Sequence, residues 1–325
     1  YLCHMKKITI IIAAILIAVE SFGQTASDNT QKRQAVVALS SIYMRIAPDY
    51  ESALETQELM GTIIEITGQK SYWREILSPQ PYKAWCTEKG IIEMTPEELK
   101  AYQDAPKCMF IDLYGHVYEE PSHEGQTICD LVGGDIMRLE GKKAKGWTKV
   151  ILPSGEEGWV RSESIRPHKE FRNIAKGEGN SESISDGQME RIIATAFRLK
   201  GVPYLWGGMT PKGVDCSGLV RWSCLMNGIL LPRNASQMVH CGDKVELTLP
   251  QNGKAADVSN LRRGDLVFFG TSATDGKPQR VTHVGIYIGD GRIIHSSHMV
   301  RVNSLIPGES DYYENAHRLI AAIRL

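Results

Sequence analysis

The first half of the chain carries one hairpin pattern twice, which confines it to small antiparallel β units. Trp73 and Trp85 stand 12 residues apart, as do Trp147 and Trp159, and Ile91 and Ile165 each follow the second tryptophan by six. Laid over one another, W-R-E-I-L…A-W-C-T-E-K-G-I (73–91) and W-T-K-V-I-L…G-W-V-R-S-E-S-I (147–165) each read as a strand, a turn bearing Pro or Gly, and a second strand opening on Trp. Short strands at Gly61–Thr67 and Asp135–Glu140 precede them. Two copies are too few for a solenoid, so two small β-barrels are expected. Between them, Thr95-Pro96-Glu97-Glu98 has the residues of a capped short helix that serves as a connector.

The second half changes character. From Lys169 to Ser185 the chain is polar, the composition of a linker. Ser185 then opens a capping box with Gln188, and Met189, Ile192, Ile193, Ala196 and Phe197 form one apolar helix face that Gly201 closes. A second helix runs from Cys216 through Leu219, Val220, Trp222, Leu225 and Met226 to Gly228. Strands at Asp265–Phe269, His283–Ile288 and Arg292–Ser296 follow, suggesting an antiparallel sheet. Helices first and strands after describe an α+β domain.

At the N-terminus, Met5-Lys6-Lys7 and the apolar run Ile8–Val19 read as a secretory leader, with small residues around a cut before Gln24; the four residues ahead of Met5 read as upstream translated sequence. A helix of that run would reach about 18 Å, short of the ~30 Å of hydrocarbon in a bilayer. No cysteine follows it to take a lipid, and no second stretch is long and apolar enough to span. An exported protein, periplasmic or secreted, is expected. Its formal net charge of −1 supplies no basic field for nucleic acid or anionic lipid. After cleavage six cysteines remain, Cys86, Cys108, Cys129, Cys216, Cys224 and Cys241. An even count in an exported chain permits disulfides, but no pair is spaced like a staple or a zinc knuckle.

The chemistry concentrates in three strings: D-C-S-G at 215–218, H-V-G-I-Y-I-G at 283–289 and I-I-H-S-S at 293–297. Asp215 is a good N-cap, and a cysteine in the first helical turn sits in the positive end of the helix dipole, which favours thiolate. The plainer reading is a small core residue, the commonest fate of a free cysteine. The polar company of Asp215, Ser217 and Gly218 argues against it. Cys224 and Cys86 sit among apolar neighbours and read as core. His283 opens an alternating strand and could act as general base or simply be a solvated strand-end histidine. Which histidine partners it depends on the Gly289-Asp290-Gly291 connection. A two-residue turn sets His298 opposite His283; a three-residue loop with a glycine bulge brings His295 diagonally beside it on the same face. The two glycines favour the longer loop, with His298 as the rival. There is no H-E-x-x-H and no other histidine cluster, so no metal or other cofactor is expected.

In order, P-Y-L-W-G-G (203–208), D-C-S-G-L-V (215–220), L-P-R-N-A-S-Q (231–237), R-G-D-L-V-F-F (263–269), H-V-G-I-Y-I-G (283–289) and I-I-H-S-S (293–297) resemble the NlpC-type cell-wall cysteine peptidases over residues 186–325. The resemblance implies a papain-like core and a Cys216, His283, His295 triad. The N-terminal pattern resembles a tandem of bacterial SH3-like domains at about 32–95 and 107–168, giving an α+β chain with two small SH3-like β-barrels ahead of a peptidase domain. That arrangement, behind a leader at 1–23 and with a linker at 169–185, is similar to the γ-D-glutamyl-L-diamino-acid endopeptidases, also called dipeptidyl-peptidase VI. These imply a peptidoglycan stem peptide with a free L-Ala as substrate, its amine read in a pocket closed by the first SH3-like domain. Tyr82 is the residue assigned there, against the alternative of an ordinary turn tyrosine.

By the same resemblance, Tyr204 and Trp206 line the cleft, Tyr204 and the Cys216 amide hold the oxyanion, and Asp215 and Ser217 help hold substrate. For Trp206 the alternative is core packing, and for Asp215 a cap alone. Relatives often carry Arg-Asp-Ser where this chain has Arg233-Asn234-Ala235, which puts strict free-amine specificity in question; Ser236 is the partial substitute. Two other functions remain open from sequence: an acyltransferase on the same fold and a non-catalytic wall-binding protein.

Overall fold

The chain contains two seven-stranded antiparallel sheets built to one plan. In the first, the strands run in the order Leu54–Leu59, Ser41–Arg45, Tyr82–Thr87, Trp73–Ser78, Ile63–Lys70, Arg33–Val37, Ile91–Met94. The second repeats that order as Thr127–Val132, Tyr114–Tyr118, Glu157–Arg161, Trp147–Ile151, Ile136–Ala144, Lys107–Phe110, Ile165–Pro167. The computed structural model describes residues 32–79, 82–174, 184–250, 256–274 and 276–325. The leader at 1–23 and most of the expected linker lie outside them. Trp73 and Trp147 occupy equivalent buried places at 4% exposure, while Trp85 and Trp159 fall on half-buried positions of the partner strands. Two details differ from the sequence reading. The second hairpin strands open at Tyr82 and Glu157, ahead of their tryptophans. And among the described residues no ladder joins the end strands of either sheet, so a closed barrel is not seen.

The connector is helix α1, Pro96–Asp104, with the expected Thr95–Glu98 capping box and Pro at its first turn. The two sheets also meet directly. Met60, at the end of strand Leu54–Leu59, inserts into the second sheet's core with Phe110, Leu131 and Met137. Its amide and that of Val132 both donate to the fully buried carboxylate of Asp135, at 3.2 and 2.8 Å. Burial pushes that carboxyl well up from its ordinary value, and the two amide bonds oppose the shift.

In the C-terminal part, α2 (Asp186–Arg198) and α3 (Cys216–Leu225) pack on one face of a six-stranded antiparallel sheet ordered 243–244, 319–324, 266–271, 280–289, 292–297, 299–304. The period of two divides its strands: Phe268, Val284, Ile286 and Ile294 face the helices, and Val267, Phe269, Tyr287 and Ile293 face a second core. The Ser185 hydroxyl caps α2, but Gln188 turns its amide to the Asn227 carbonyl at 3.1 Å, so no reciprocal box closes. Phe197 is also not on the buried face; it is 37% exposed, and Leu199 takes the place in the core. Before the undescribed stretch, the segment after Lys169 docks: Arg172–Asn173 pairs with Ile229–Leu230, and Ile174 is buried.

All three sheet systems touch α3. Leu59, Val132 and Ile136 share a core with Trp222, Leu225 and Met226, and Trp222 Nε1 donates to the Gly133 carbonyl at 2.7 Å. The helix that carries Cys216 is therefore held by both N-terminal sheets, which bear on its position and not only on its surface.

Candidate active site

Cys216 is the first residue of α3, and the local chemistry follows the expected cap. The Asp215 carboxylate accepts from the Gly218 amide at 2.7 Å and from the Ser217 hydroxyl at 3.1 Å, and its second oxygen accepts from the Gly207 amide at 3.0 Å. The small residues of the motifs have a packing reason. A Cβ on Gly218 would lie 2.0 Å from the Gly208 carbonyl oxygen, so only glycine lets the P-Y-L-W-G-G loop close over the helix start. That loop is tied to the histidine strands through the Tyr204 amide, which donates to the His298 carbonyl at 2.8 Å.

The hairpin resolves the register with a different device from the one expected. Asp290 and Gly291, both at positive φ (50° and 69°), make a two-residue turn closed by the pair Gly289 and Arg292. The extra residue is instead a bulge in the strand between Tyr287 and Gly289. His295 thereby comes beside His283, with Nε2 of His283 2.7 Å from Nδ1 of His295. His298 is exposed at φ 59° in the next turn and has no part in the pair. The two imidazoles share a box with Phe269 and Tyr313, the Tyr313 ring centroid lying 4.6 Å from His295 and 5.7 Å from His283. The amide of Val284, the residue after His283, is among the groups that favour a thiolate at Cys216.

A cleft of about 430 Å³ opens over this thiol. Tyr82, Tyr204, Trp206, Asp215, Ser217 and Ser236 all line it with Cys216. Trp206 is 66% exposed there, so core packing is not its role. Sequence reasoning missed three residues. Glu55, on an edge strand of the first sheet, lines the cleft and accepts a short hydrogen bond from the Tyr82 hydroxyl. Asn303 accepts at 2.9 Å from His295 Nε2. Arg233 was visible only through its neighbours. It lies 3% exposed behind the cleft and donates to both Asp215 oxygens (3.1 and 2.5 Å), to Ser217 Oγ (2.8 Å) and to Thr56 Oγ1 of the first sheet (2.7 Å).

Burial dominates the electrostatics. It pushes the Cys216 thiol up to about 11, with the Asp215 charge adding, while the Val284 and Ser217 amides and Arg233 pull the other way. It pushes His283 down to about 3 and His295 down to about 4; Arg301 adds to both shifts, and the Asn303 bond opposes that of His295. Burial thus disfavours a lone thiolate at Cys216 and a lone imidazolium at His283 or His295. Tyr204 is likewise raised by burial and by the charges of Cys216 and Asp215, and stays a donor at any working pH. The six described cysteines are all free thiols.

These shifts set a pH dependence of stability. A histidine held neutral when folded but protonated when unfolded makes the unfolded state bind more protons below its unfolded pKa of ~6.5. Stability should therefore fall as pH drops from ~6.5 towards the folded values, by about 1.4 kcal/mol per pH unit for each histidine. Urea unfolding at pH 6.5, 5.5 and 4.5 should show a steeper acid loss in wild type than in His295→Gln. Parallel slopes would mean that the imidazole of His295 is not held neutral.

Residues 201–318 match the model of the NlpC/P60 family, a family of cysteine peptidases. The C-terminal domain is an NlpC/P60 domain. Over 82% of its length the chain is 27% identical to a γ-D-glutamyl-L-lysine dipeptidyl-peptidase of Bacillus cereus, covering 75% of that protein. It is 26% identical to dipeptidyl-peptidase 6 of Lysinibacillus sphaericus across 89% of this chain and 98% of that one. A crystal structure of an NlpC/P60 family protein from Bacillus cereus superposes with a TM-score of 0.69 at 22% identity, over 90% of this chain and 99% of the other. The shared fold thus extends through both N-terminal sheets and is not limited to the NlpC/P60 domain. Among the described residues, no helix is long and apolar enough to cross a membrane.

Proposed function

We propose that this chain is an exported cysteine endopeptidase that hydrolyses the γ-D-glutamyl-L-diamino-acid bond of peptidoglycan stem peptides bearing a free N-terminal L-Ala. One observation carries the reading. The cleft above Cys216 is lined by an acidic group, Glu55 braced by Tyr82, contributed by the first N-terminal sheet. A carboxylate held in the wall of a nucleophile's cleft fits a substrate ammonium and favours peptides whose amine reaches it from the scissile carbonyl. The relatives' names speak for the same substrate class. Asn234 stands where relatives often carry Asp, and Glu55 supplies a negative charge to the same cleft. The N-terminal sheets are read as SH3-like units, the first of which sets substrate length.

In this mechanism His283 takes the thiol proton as Cys216 attacks the γ-carbonyl of D-Glu, and His295 orients it. The Cys216 amide and the Tyr204 hydroxyl hold the oxyanion. His283 returns the proton to the leaving amine, and water then hydrolyses the thioester. An acyltransferase would divert that thioester to an amine or alcohol, for which an apolar acceptor groove is needed; the cleft rim here carries Arg280 and Thr282.

The test is mass spectrometry of products from L-Ala-γ-D-Glu-L-Lys and its N-acetyl form. Release of L-Ala-D-Glu is expected from the free-amine peptide, with the acetylated one cut at least ~10-fold more slowly, since a charged hydrogen bond contributes about 1.5–3 kcal/mol. Glu55→Gln should lower kcat/KM on the free-amine peptide by about 10- to 100-fold and erase the preference. Equal cutting of both peptides by wild type would remove the amine-reading role of Glu55.

A further inference from the structure

The histidine pair does not end at His295. The Asp311 backbone carbonyl can only accept, and it takes a 2.7 Å hydrogen bond from Nδ2 of Asn303. That fixes the amide orientation, so Oδ1 of Asn303 is the atom facing His295 Nε2 at 2.9 Å. An amide oxygen can only accept, so in the neutral ring the proton of His295 sits on Nε2 and its Nδ1 carries a lone pair. Nδ1 faces His283 Nε2 at 2.7 Å, which must then be the protonated nitrogen of His283. One nitrogen remains without a proton: Nδ1 of His283.

We propose that Asn303 is a positioning residue that sets the tautomer of both histidines, and through them selects Nδ1 of His283 as the atom that receives the thiol proton. The proposal rests on the thiol mechanism given above for its consequence in catalysis, though not for the tautomers themselves. Asn303 is suited to this. It is 8% exposed on the edge strand Met299–Ser304, on the same face as Arg301, which pairs across from His295. A water in its place could donate as well as accept, and the chain of tautomers would lose its fixed end. The other groups that bear on the pair are Tyr313 within the site and the cations Arg301 and Arg318, which disfavour imidazolium. The Asp311 carboxylate is turned away to Arg292.

The experiment is 15N NMR of the full chain with labelled histidine, together with kinetics of three proteins. Wild type at pH 7 should show both His283 and His295 neutral with the proton on Nε2. Asn303→Leu should lose that single tautomer and drop kcat by about 10- to 100-fold at little change in KM. Asn303→Asp keeps an acceptor for Nε2–H and adds a charge. It should retain kcat within about tenfold and move the acid limb of the pH profile upward. A merely structural residue would alter stability without changing tautomer or pH profile. Protonation of His295 on Nδ1 in wild type, or Asn303→Leu with wild-type kcat and pH profile, would overturn the proposal. If Asn303→Leu does not fold, the wild-type spectrum and Asn303→Asp decide it. Failure of wild type to cut any peptide would instead count against the thiol mechanism, and the tautomers would still be read.

Discussion

Replacing Cys216 by alanine is expected to reduce release of L-Ala-D-Glu by at least about 10⁴-fold while leaving the fold intact. The size follows from chemistry: without the sulfur there is no covalent intermediate, and the oxyanion donors and substrate contacts that remain act only on bound water. The intact fold follows from position. Cys216 is small and the cap of its helix is the side chain of Asp215, whose hydrogen bonds to Gly218, Ser217, Gly207 and Arg233 do not involve the thiol. A thermal midpoint within a few degrees of wild type, alongside lost turnover, separates loss of a nucleophile from loss of structure. Cys224→Ala is the control. That thiol is 1% exposed inside α3, and its loss should lower stability and spare kcat. Residual dipeptide release by Cys216→Ala above about one hundredth of wild type would remove the thiol from the mechanism. Unchanged binding of peptidoglycan fragments with no turnover in either protein would favour a wall-binding role.

What the sequence discloses follows the range of the interaction. The twice-written hairpins, the Thr95–Glu98 box and the Asp215 cap are set by neighbours within a few residues, and they appear, though the second hairpin strands open ahead of their tryptophans and the equally local Ser185–Gln188 box is opened by Asn227. The His283–His295 pair was reached through the wrong device, because a bulge between Tyr287 and Gly289 changes facing by one residue just as a longer loop would. Glu55 left no local signal. It lies on a strand that is ordinary in its own sheet and joins the cleft only where that sheet meets the C-terminal residues. Asn303 could have been found by counting the next hairpin: once His295 is placed, its cross-strand partner is Arg301, and the residue two further on shares that face.

Arg233→Met should cost about 3–5 kcal/mol of stability, the range for removing one partner of a buried ion pair. The guanidinium and the Asp215 carboxylate are 3% and 11% exposed, and two Arg233 nitrogens reach two carboxylate oxygens. Burial pulls Arg233 down, but the adjacent Asp215 charge and hydrogen bond more than offset it, so the guanidinium is held above its ordinary value. Methionine of similar volume would leave a desolvated carboxylate at the start of the Cys216 helix and a buried Thr56 hydroxyl without its donor. Arg233→Lys should recover only part of the loss. A single ammonium cannot span Asp215, Ser217 and Thr56 from the geometry that the planar fork provides. The sharper test is the pair Arg233→Met with Asp215→Asn, which removes both charges and should be more stable than Arg233→Met alone by more than about 1 kcal/mol. Urea unfolding of the four proteins measures this directly. A single mutant within about 1 kcal/mol of wild type would mean that the pair is solvated in solution. The expected loss would identify Arg233 as the bond through which the first sheet, by Thr56, holds the cap of Cys216 and so presents Glu55 to the same cleft.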